Sequence, residues 1–224
     1  MLAARFRSFR ENDSGLTLVE STFIMFILLL VMVNGTELDR YARFARHLEF
    51  AAQGLAVLTG QRVAPMRDAD WSSDAAFLFW LYPEAAASDA AQWRNVLGVQ
   101  TTLVRFEPSD PACADNCTFS AARVLWTWSG GTAGSRALLE ARGVLRTCGM
   151  VLAGSDTPAA QTLPANLFRG GKLLVVTLVH DYTPYFPLSF VGARPLVREA
   201  YLVPASGDLP VDSFGGANEV TPCP

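Results

Sequence analysis

Apolar residues dominate the chain from residue 16 to residue 33, and one carboxylate, Glu20, interrupts them. As a helix that rises about 1.5 Å per residue, this run is about 27 Å long, close to the thickness of a bilayer's hydrocarbon core. A carboxylate inside such a run is costly unless it has a partner. The pattern therefore predicts a membrane-spanning helix in which Glu20 has a specific partner.

Residues 34–60 carry a different pattern, in which apolar side chains recur at steps of three and four along one side of a helix. This stripe consists of Tyr41, Phe44, Leu48, Ala51, Leu55 and Leu58. Gly60 and Pro65 end the periodicity, so one helix is predicted for residues 16–60. The stripe either packs on the chain's own domain or packs against another subunit. For the second case Tyr41, Phe44 and Leu48 are the candidate subunit-packing residues.

Shorter elements follow residue 60. Two short helices are expected within residues 73–95. Runs rich in Val, Thr, Phe, Trp and Leu predict strands at residues 99–106, 118–128, 172–182 and 194–203. The first two strands are expected to pair as an antiparallel hairpin, and the nearly all-apolar third strand is expected to be central in the sheet. Residues 136–148 are predicted to begin as a helix and to end as a strand.

These elements predict an α+β protein in which a long N-terminal α-helix packs on a C-terminal globular domain with an antiparallel β-sheet. The length of 224 residues suits one domain with an N-terminal appendage. The predicted segments are a leader (1–15), a long helix (16–60) with a transmembrane half (16–33) and an amphipathic half (34–60), a head domain (61–203) and a Pro/Gly-rich tail (204–224).

Charge and composition give no sign of a nucleic-acid partner, because the net charge is −3 at pH 7 and no block of basic residues is present. Only His47 and His180 are candidate general bases near neutral pH. His180 precedes Asp181 at the end of a predicted strand, but neither a nucleophile motif nor a set of metal ligands accompanies the pair. We therefore predict no catalytic site, no metal and no cofactor, and not an enzyme.

The four cysteines, Cys113, Cys117, Cys148 and Cys223, all follow the apolar run. An even number of cysteines in an exported domain favours disulfides, and the sequence leaves all three pairings open. A zinc half-site at Cys113 and Cys117 is the alternative, although no second Cys/His pair with ligand spacing accompanies it.

The loop at residues 183–190 combines two prolines with three aromatic residues and a leucine. The prolines prevent it from continuing a central strand. It either folds back to cap the core or forms an exposed apolar patch for a neighbouring subunit or the membrane surface.

A secretory signal peptide with cleavage near Gly35 is an alternative interpretation of the N-terminus. Against it, the apolar run is longer than the usual signal core, contains Glu20 and continues directly into an amphipathic helix. Arginines at positions 5, 7 and 10 favour a cytoplasmic N-terminus.

Residues 15–20 read Gly-Leu-Thr-Leu-Val-Glu and precede the apolar helix, which resembles the leader and cleavage site of type IV pilins and pseudopilins. With residues 37–41 closing the apolar run, the pattern resembles the TadE/TadF minor pilins of the tight-adherence (type IVc) pilus. Residues 146–149, 163–168 and 182–186 are similar to those proteins as well. The bulkier residues after Gly15 are closer to general type IV pilins or type II secretion pseudopilins.

The resemblance implies that a prepilin peptidase cuts between Gly15 and Leu16 and that Glu20 acts in assembly. The α-amino group exposed at Leu16 would be cationic at neutral pH and would neutralise Glu20 of the same or a docking subunit. The implied function is that of a minor pilin for adhesion, in the bacterial inner membrane with its C-terminal domain periplasmic, or in the extracellular pilus. The implied partners are other pilins, the peptidase, the inner-membrane assembly platform and the lipid bilayer. The alternatives are a membrane-anchored periplasmic binding or enzymatic domain and a type II secretion pseudopilin.

Overall fold

The computed structural model describes residues 13–61, 77–78, 80–83, 96–113, 117–130, 133–155, 159–186, 189–204 and 221–222. The chain divides into two compact units. The first joins Met1–Arg43 to Thr183–Ala193, and the second joins Phe44–Tyr182 to Arg194–Pro224. The two short helices predicted within residues 73–95 lie largely outside the described residues, apart from a helical turn that contains Leu78 and Tyr82.

Helix α1, Asp13–Gly60, runs for 48 residues without interruption. No proline, which would break or kink the helix, occurs in it. Gly35 is helical like its neighbours. The helix ends at Gly60, where a side chain would collide with Leu202.

Seven strands of the described residues form one sheet: β1 Leu97–Pro108, β2 Phe119–Ser129, β3 Val151–Gly154, β4 Thr162–Leu163, β5 Lys172–Tyr182, β6 Arg194–Leu202 and β7 Thr221–Pro222. Their order in the sheet is β4-β3-β2-β1-β5-β6, and β7 pairs with β2. All pairs are antiparallel except β3 with β4. The predicted β1–β2 hairpin and the central position of β5 are confirmed, as is the α+β class.

One face of the sheet packs against the C-terminal part of α1. The ring of Phe44 lies beside the rings of His180 and Tyr182 on β5, and Gly60 approaches Leu174 and Leu202. Leu48, Ala51 and Leu55 are fully buried in the same helix. The three-four periodicity of the stripe thus matches burial on the domain's own sheet as far as Leu55, whereas Leu58, the last residue of the stripe, is exposed.

Helix α2, Ala133–Ala141, packs on the opposite face. Gly98 of β1 is needed there, because a side chain at this position would press on Val179, Leu138 and Leu139. Two apolar clusters on this face flank a polar belt, which consists of Gln100, Arg146, Thr177 and Glu199. The cluster near α2 contains Leu139, Val144 and Val179. The other contains Val104, Phe106, Ala122, Val124, Leu152, Leu163, Leu173 and Val175.

The prediction of a strand at the end of residues 136–148 is wrong. Gly143, with φ of 64°, ends the helical turn, and the chain then crosses the polar belt as an irregular segment until β3 begins at Val151. The side chain of Gln100 binds both backbone groups of Arg146, accepting from its N–H at 3.0 Å and donating to its carbonyl at 2.6 Å. These bonds from a side chain replace the backbone hydrogen bonds that a strand would form with a neighbouring strand.

Candidate functional site

The first half of α1 exposes its apolar side chains. An 18-residue window with mean hydropathy 1.8 has none of its residues buried. Length and composition therefore suffice for a membrane span, although a signal sequence meets the same two conditions. Glu20 is exposed among these side chains. Gly15 and Leu16 lie in the first turns of α1, and their side chains are outside the described part of the structure.

Polar side chains begin where the apolar run ends, and they bind backbone groups. The Nδ2 group of Asn34 donates to the carbonyl of Leu30 at 2.9 Å, and Thr36 donates to the carbonyl of Val33 at 2.8 Å. The Oδ1 atom of Asn34 accepts a hydrogen bond at 2.8 Å from the backbone N–H of Phe190. Asn34 therefore holds the loop between β5 and β6 at the end of the apolar run.

One turn further along α1, Glu37 is 1% exposed and accepts a hydrogen bond at 2.9 Å from the backbone N–H of Tyr185. Arg40 lies 3.8 Å from the carboxylate of Glu37, and its guanidinium carbon is 3.4 Å from the centroid of the Tyr185 ring. Arg40 also donates to the carbonyl of Thr183 at 3.5 Å. We refer to Asn34, Glu37 and Arg40 together with Thr183–Ala193 as the helix–loop junction.

Three aromatic side chains of the junction are largely exposed. Tyr185 is 75% exposed, Phe186 44% and Phe190 87%. The loop is therefore an exposed apolar patch at these residues, and the alternative of a loop that caps the core does not describe them. Sequence reasoning singled out the loop but missed its attachment to Asn34, Glu37 and Arg40, since no local pattern connects residues so far apart.

Phe44 and Leu48, predicted as subunit-packing residues, both pack on their own domain. Phe44 contacts the rings of Tyr82, His180 and Tyr182, and Leu48 is fully buried. The buried side chain of Leu48 is not available to a second subunit, whereas Phe44 is half-buried and its role in subunit packing stays a prediction. Tyr41 is half-buried, and its role in subunit packing stays a prediction.

Cys113 and Cys117 are joined in a disulfide, which replaces the zinc half-site considered for the same pair. Cys148 is disulfide-bonded as well, whereas Cys223 lies outside the described residues. Across the described ranges, no group of three or more His, Cys, Asp or Glu side chains is arranged to hold a metal ion.

His180 and Asp181 project to opposite faces of β5, as successive residues of a strand do. His180 packs against the rings of Phe44 and Tyr82, and its Nδ1 atom lies 3.2 Å from the carbonyl of Val96. Asp181 accepts two hydrogen bonds from Arg142, at 3.0 and 2.7 Å. These bonds raise the pKa of the Arg142 guanidinium above its ordinary value. The two neighbours therefore do not act as an acid–base pair with each other.

The polar belt of the sheet is centred on Arg146, whose side chain is fully buried. Its guanidinium donates to Glu199 at 2.8 Å and to Thr177 at 2.9 Å. Tyr201 donates to the second carboxylate oxygen of Glu199 at 2.5 Å. Burial and then the charge of Glu199 raise the pKa of the Tyr201 phenol well above its ordinary value.

A cavity of about 180 Å³ lies beside this belt. It is lined by Gln100, Thr127, Ser129, Arg136, Leu145, Arg146, Thr147 and Cys148. The guanidinium charge of Arg146 is already matched by Glu199, so the belt's clearest role is to fix the irregular segment across the sheet. Sequence reasoning noted residues 146–149 only as part of a resemblance and missed this network.

No family model, curated protein or solved structure matches this chain.

Proposed function

We propose that this chain is a minor pilin or pseudopilin of a tight-adherence (type IVc) pilus, inserted as a single-pass membrane protein and assembled through its N-terminal helix. The observation that carries the proposal is the division of α1. Its first half is apolar and exposed, whereas its second half is built into the core of the domain. A helix that is only an anchor has no need to continue as a core element of the domain that it carries.

Glu20 supplies the second argument. An exposed carboxylate within an apolar segment needs a cation when that segment enters a membrane or a helical bundle. Cleavage after Gly15 would create such a cation, the α-amino group of Leu16, one helical turn before Glu20. Pairing with the amine of a neighbouring subunit would select one register for docking.

The proposed topology places the N-terminus in the cytoplasm and the C-terminal domain in the periplasm, with later incorporation into the pilus. Disulfides persist in oxidising compartments and are rare in the cytosol. The Cys113–Cys117 disulfide supports an exported domain.

N-terminal sequencing of the protein purified from membranes tests the proposal. We expect the mature chain to begin at Leu16. A Gly15→Leu variant is the matched control, and we expect it to be inserted but to keep its leader. A wild-type chain that keeps its leader, or that begins near Gly35 after signal-peptide cleavage, would contradict the proposal.

A further inference from the structure

The helix–loop junction lies at a defined level along α1. The apolar run ends at Val33, and the N–H of Phe190 is bound to the next residue, Asn34. The N–H of Tyr185 is bound to Glu37, three residues further along the helix and so about 4.5 Å further along its axis. If α1 crosses the membrane as proposed, both aromatic residues emerge at the boundary between hydrocarbon and water.

The side chains at this level suit that boundary. Phe190 is 87% exposed and Tyr185 is 75% exposed, and the ring of Tyr185 carries the guanidinium of Arg40 on its face. Aromatic residues are enriched at membrane interfaces, where an apolar ring meets polar headgroups.

Four backbone N–H groups of the loop's described residues are already bound within the chain, as a medium poor in water requires. The N–H groups of Tyr185 and Phe190 are bound to Glu37 and Asn34. The N–H of Ser189 donates to the carbonyl of Phe186 at 3.0 Å, and the N–H of Val191 donates to the hydroxyl of Ser189 at 3.2 Å. Backbone polar groups that leave water must be satisfied internally, whereas a protein partner would supply hydrogen bonds of its own.

We propose that Tyr185, Phe186 and Phe190 form a membrane-surface anchor, in which these three side chains enter the interfacial layer of the bilayer that α1 crosses. The inference rests on the proposed membrane-spanning role of α1. Asn34 and Glu37 act as positioning residues, because they fix the loop at the end of the apolar run. The anchor sets how far α1 is inserted and opposes its axial movement in the lipid.

Depth-dependent quenching of a fluorescent label tests the anchor in the full-length protein reconstituted into liposomes. No free cysteine is found in the described residues, so a single introduced thiol can be labelled selectively, with the unmodified protein as the blank. The variants are Phe190→Cys in the loop, Met25→Cys in the apolar run and Phe50→Cys on α1. The three replaced side chains are exposed, so their removal leaves the core intact.

Nitroxide lipids labelled at the headgroup, at a shallow acyl position or at a deep acyl position serve as quenchers. We expect the label at position 25 to be quenched best by a deep acyl nitroxide, and the label at position 190 by the headgroup and shallow nitroxides. Position 50 lies about 24 Å beyond Asn34 along the helix axis and should be quenched only by a water-soluble agent.

The other outcomes separate the two proposals. Quenching at position 25 with none at position 190 would overturn the membrane anchor while the membrane-spanning helix stands. A label at position 190 that is shielded from water but not reached by lipid nitroxides would identify a protein neighbour, which also overturns the anchor. Absence of lipid quenching at position 25 would overturn the membrane-spanning role itself, and the anchor with it.

Discussion

The buried carboxylate of Glu37 accepts a hydrogen bond at 2.9 Å from the backbone N–H of Tyr185, a residue 148 positions later in the chain. This bond attaches the loop between β5 and β6 to α1. The carboxylate is taken out of water to make it, which is costly unless the negative charge is compensated. Arg40, at 3.8 Å, provides a cation, and its guanidinium also covers the Tyr185 ring.

We predict that Glu37→Ala releases the loop without unfolding the domain. A hydrogen bond to a charged group contributes about 1.5–3 kcal/mol, so amide exchange of the peptide 183–193 should accelerate by roughly tenfold to a hundredfold. Hydrogen–deuterium exchange with mass spectrometry measures this change. Glu49→Gln, an exposed glutamate on the same helix, is the matched control and should leave exchange of this peptide as it is. Unaltered exchange in Glu37→Ala would show that the bond does not hold the loop.

Leu48 and Leu38 provide a second test, because the same helix buries one and exposes the other. Leu48 is fully buried and Leu38 is 58% exposed. We expect Leu48→Ala to lower the free energy of unfolding by about 2–5 kcal/mol, through lost burial and a residual cavity. Leu38→Ala should change it by less than about 0.5 kcal/mol. Denaturant unfolding of the full-length protein in detergent measures both. Equal small effects would return Leu48 to the role of a subunit-packing residue.

The sequence was sufficient to predict the helices and strands in which apolar residues recur at a regular spacing. The apolar run and the three-four stripe predicted α1, and the strands β1, β2, β5 and β6 were found within two residues of their ends. Their patterns are dominated by burial, which acts on each residue according to its position on a face. The same stripe was not enough to distinguish a domain core from a subunit interface, because both bury the same apolar side chains.

Contacts between polar groups that are far apart along the chain could not be predicted from the sequence. Arg146 and Glu199 are separated by 53 residues, and Glu37 and Tyr185 by 148. Such partners are set by the register of strands and the placement of a loop, and neither leaves a periodic signal in the sequence. The end of residues 136–148 was misjudged for this reason. Its alternation suited a strand, but side-chain bonds from Gln100 satisfy the backbone of Arg146 instead.

Tyr201 should make the stability of the domain sensitive to alkaline pH. The folded state raises the pKa of its phenol above the ordinary value near 10, so folding favours the protonated phenol. Its contribution is therefore fully present below about pH 10 and is lost as the pH rises above that value. We expect Tyr201→Phe to lower the free energy of unfolding by about 1.5–3 kcal/mol at pH 7, through the lost bond to Glu199, and to flatten the decline of Tm from about pH 10 to about pH 12.

Thermal unfolding followed by circular dichroism across this pH range measures the Tyr201 effect. Tyr185→Phe, which removes the hydroxyl of an exposed tyrosine, is the matched control. Its free energy of unfolding at pH 7 and its decline of Tm at alkaline pH should both equal those of the parent protein. If Tm declines with pH in Tyr201→Phe as steeply as in the parent protein, another group is responsible for the alkaline loss of stability.

Glu20 distinguishes an assembling helix from a simple anchor. A lipid anchor gains nothing from a carboxylate in its apolar face, whereas a subunit that docks on a neighbour's α-amino group depends on it. We expect Glu20→Gln to leave membrane insertion unchanged and to lower recovery in sheared pili by at least about tenfold, the effect of each 1.4 kcal/mol of lost docking free energy. Immunoblots of membrane and pilus fractions measure both quantities. Glu49→Gln, which removes a charge from α1 beyond the apolar run, should behave as the parent protein does. Normal recovery of Glu20→Gln in pili would leave the carboxylate without its proposed role in docking.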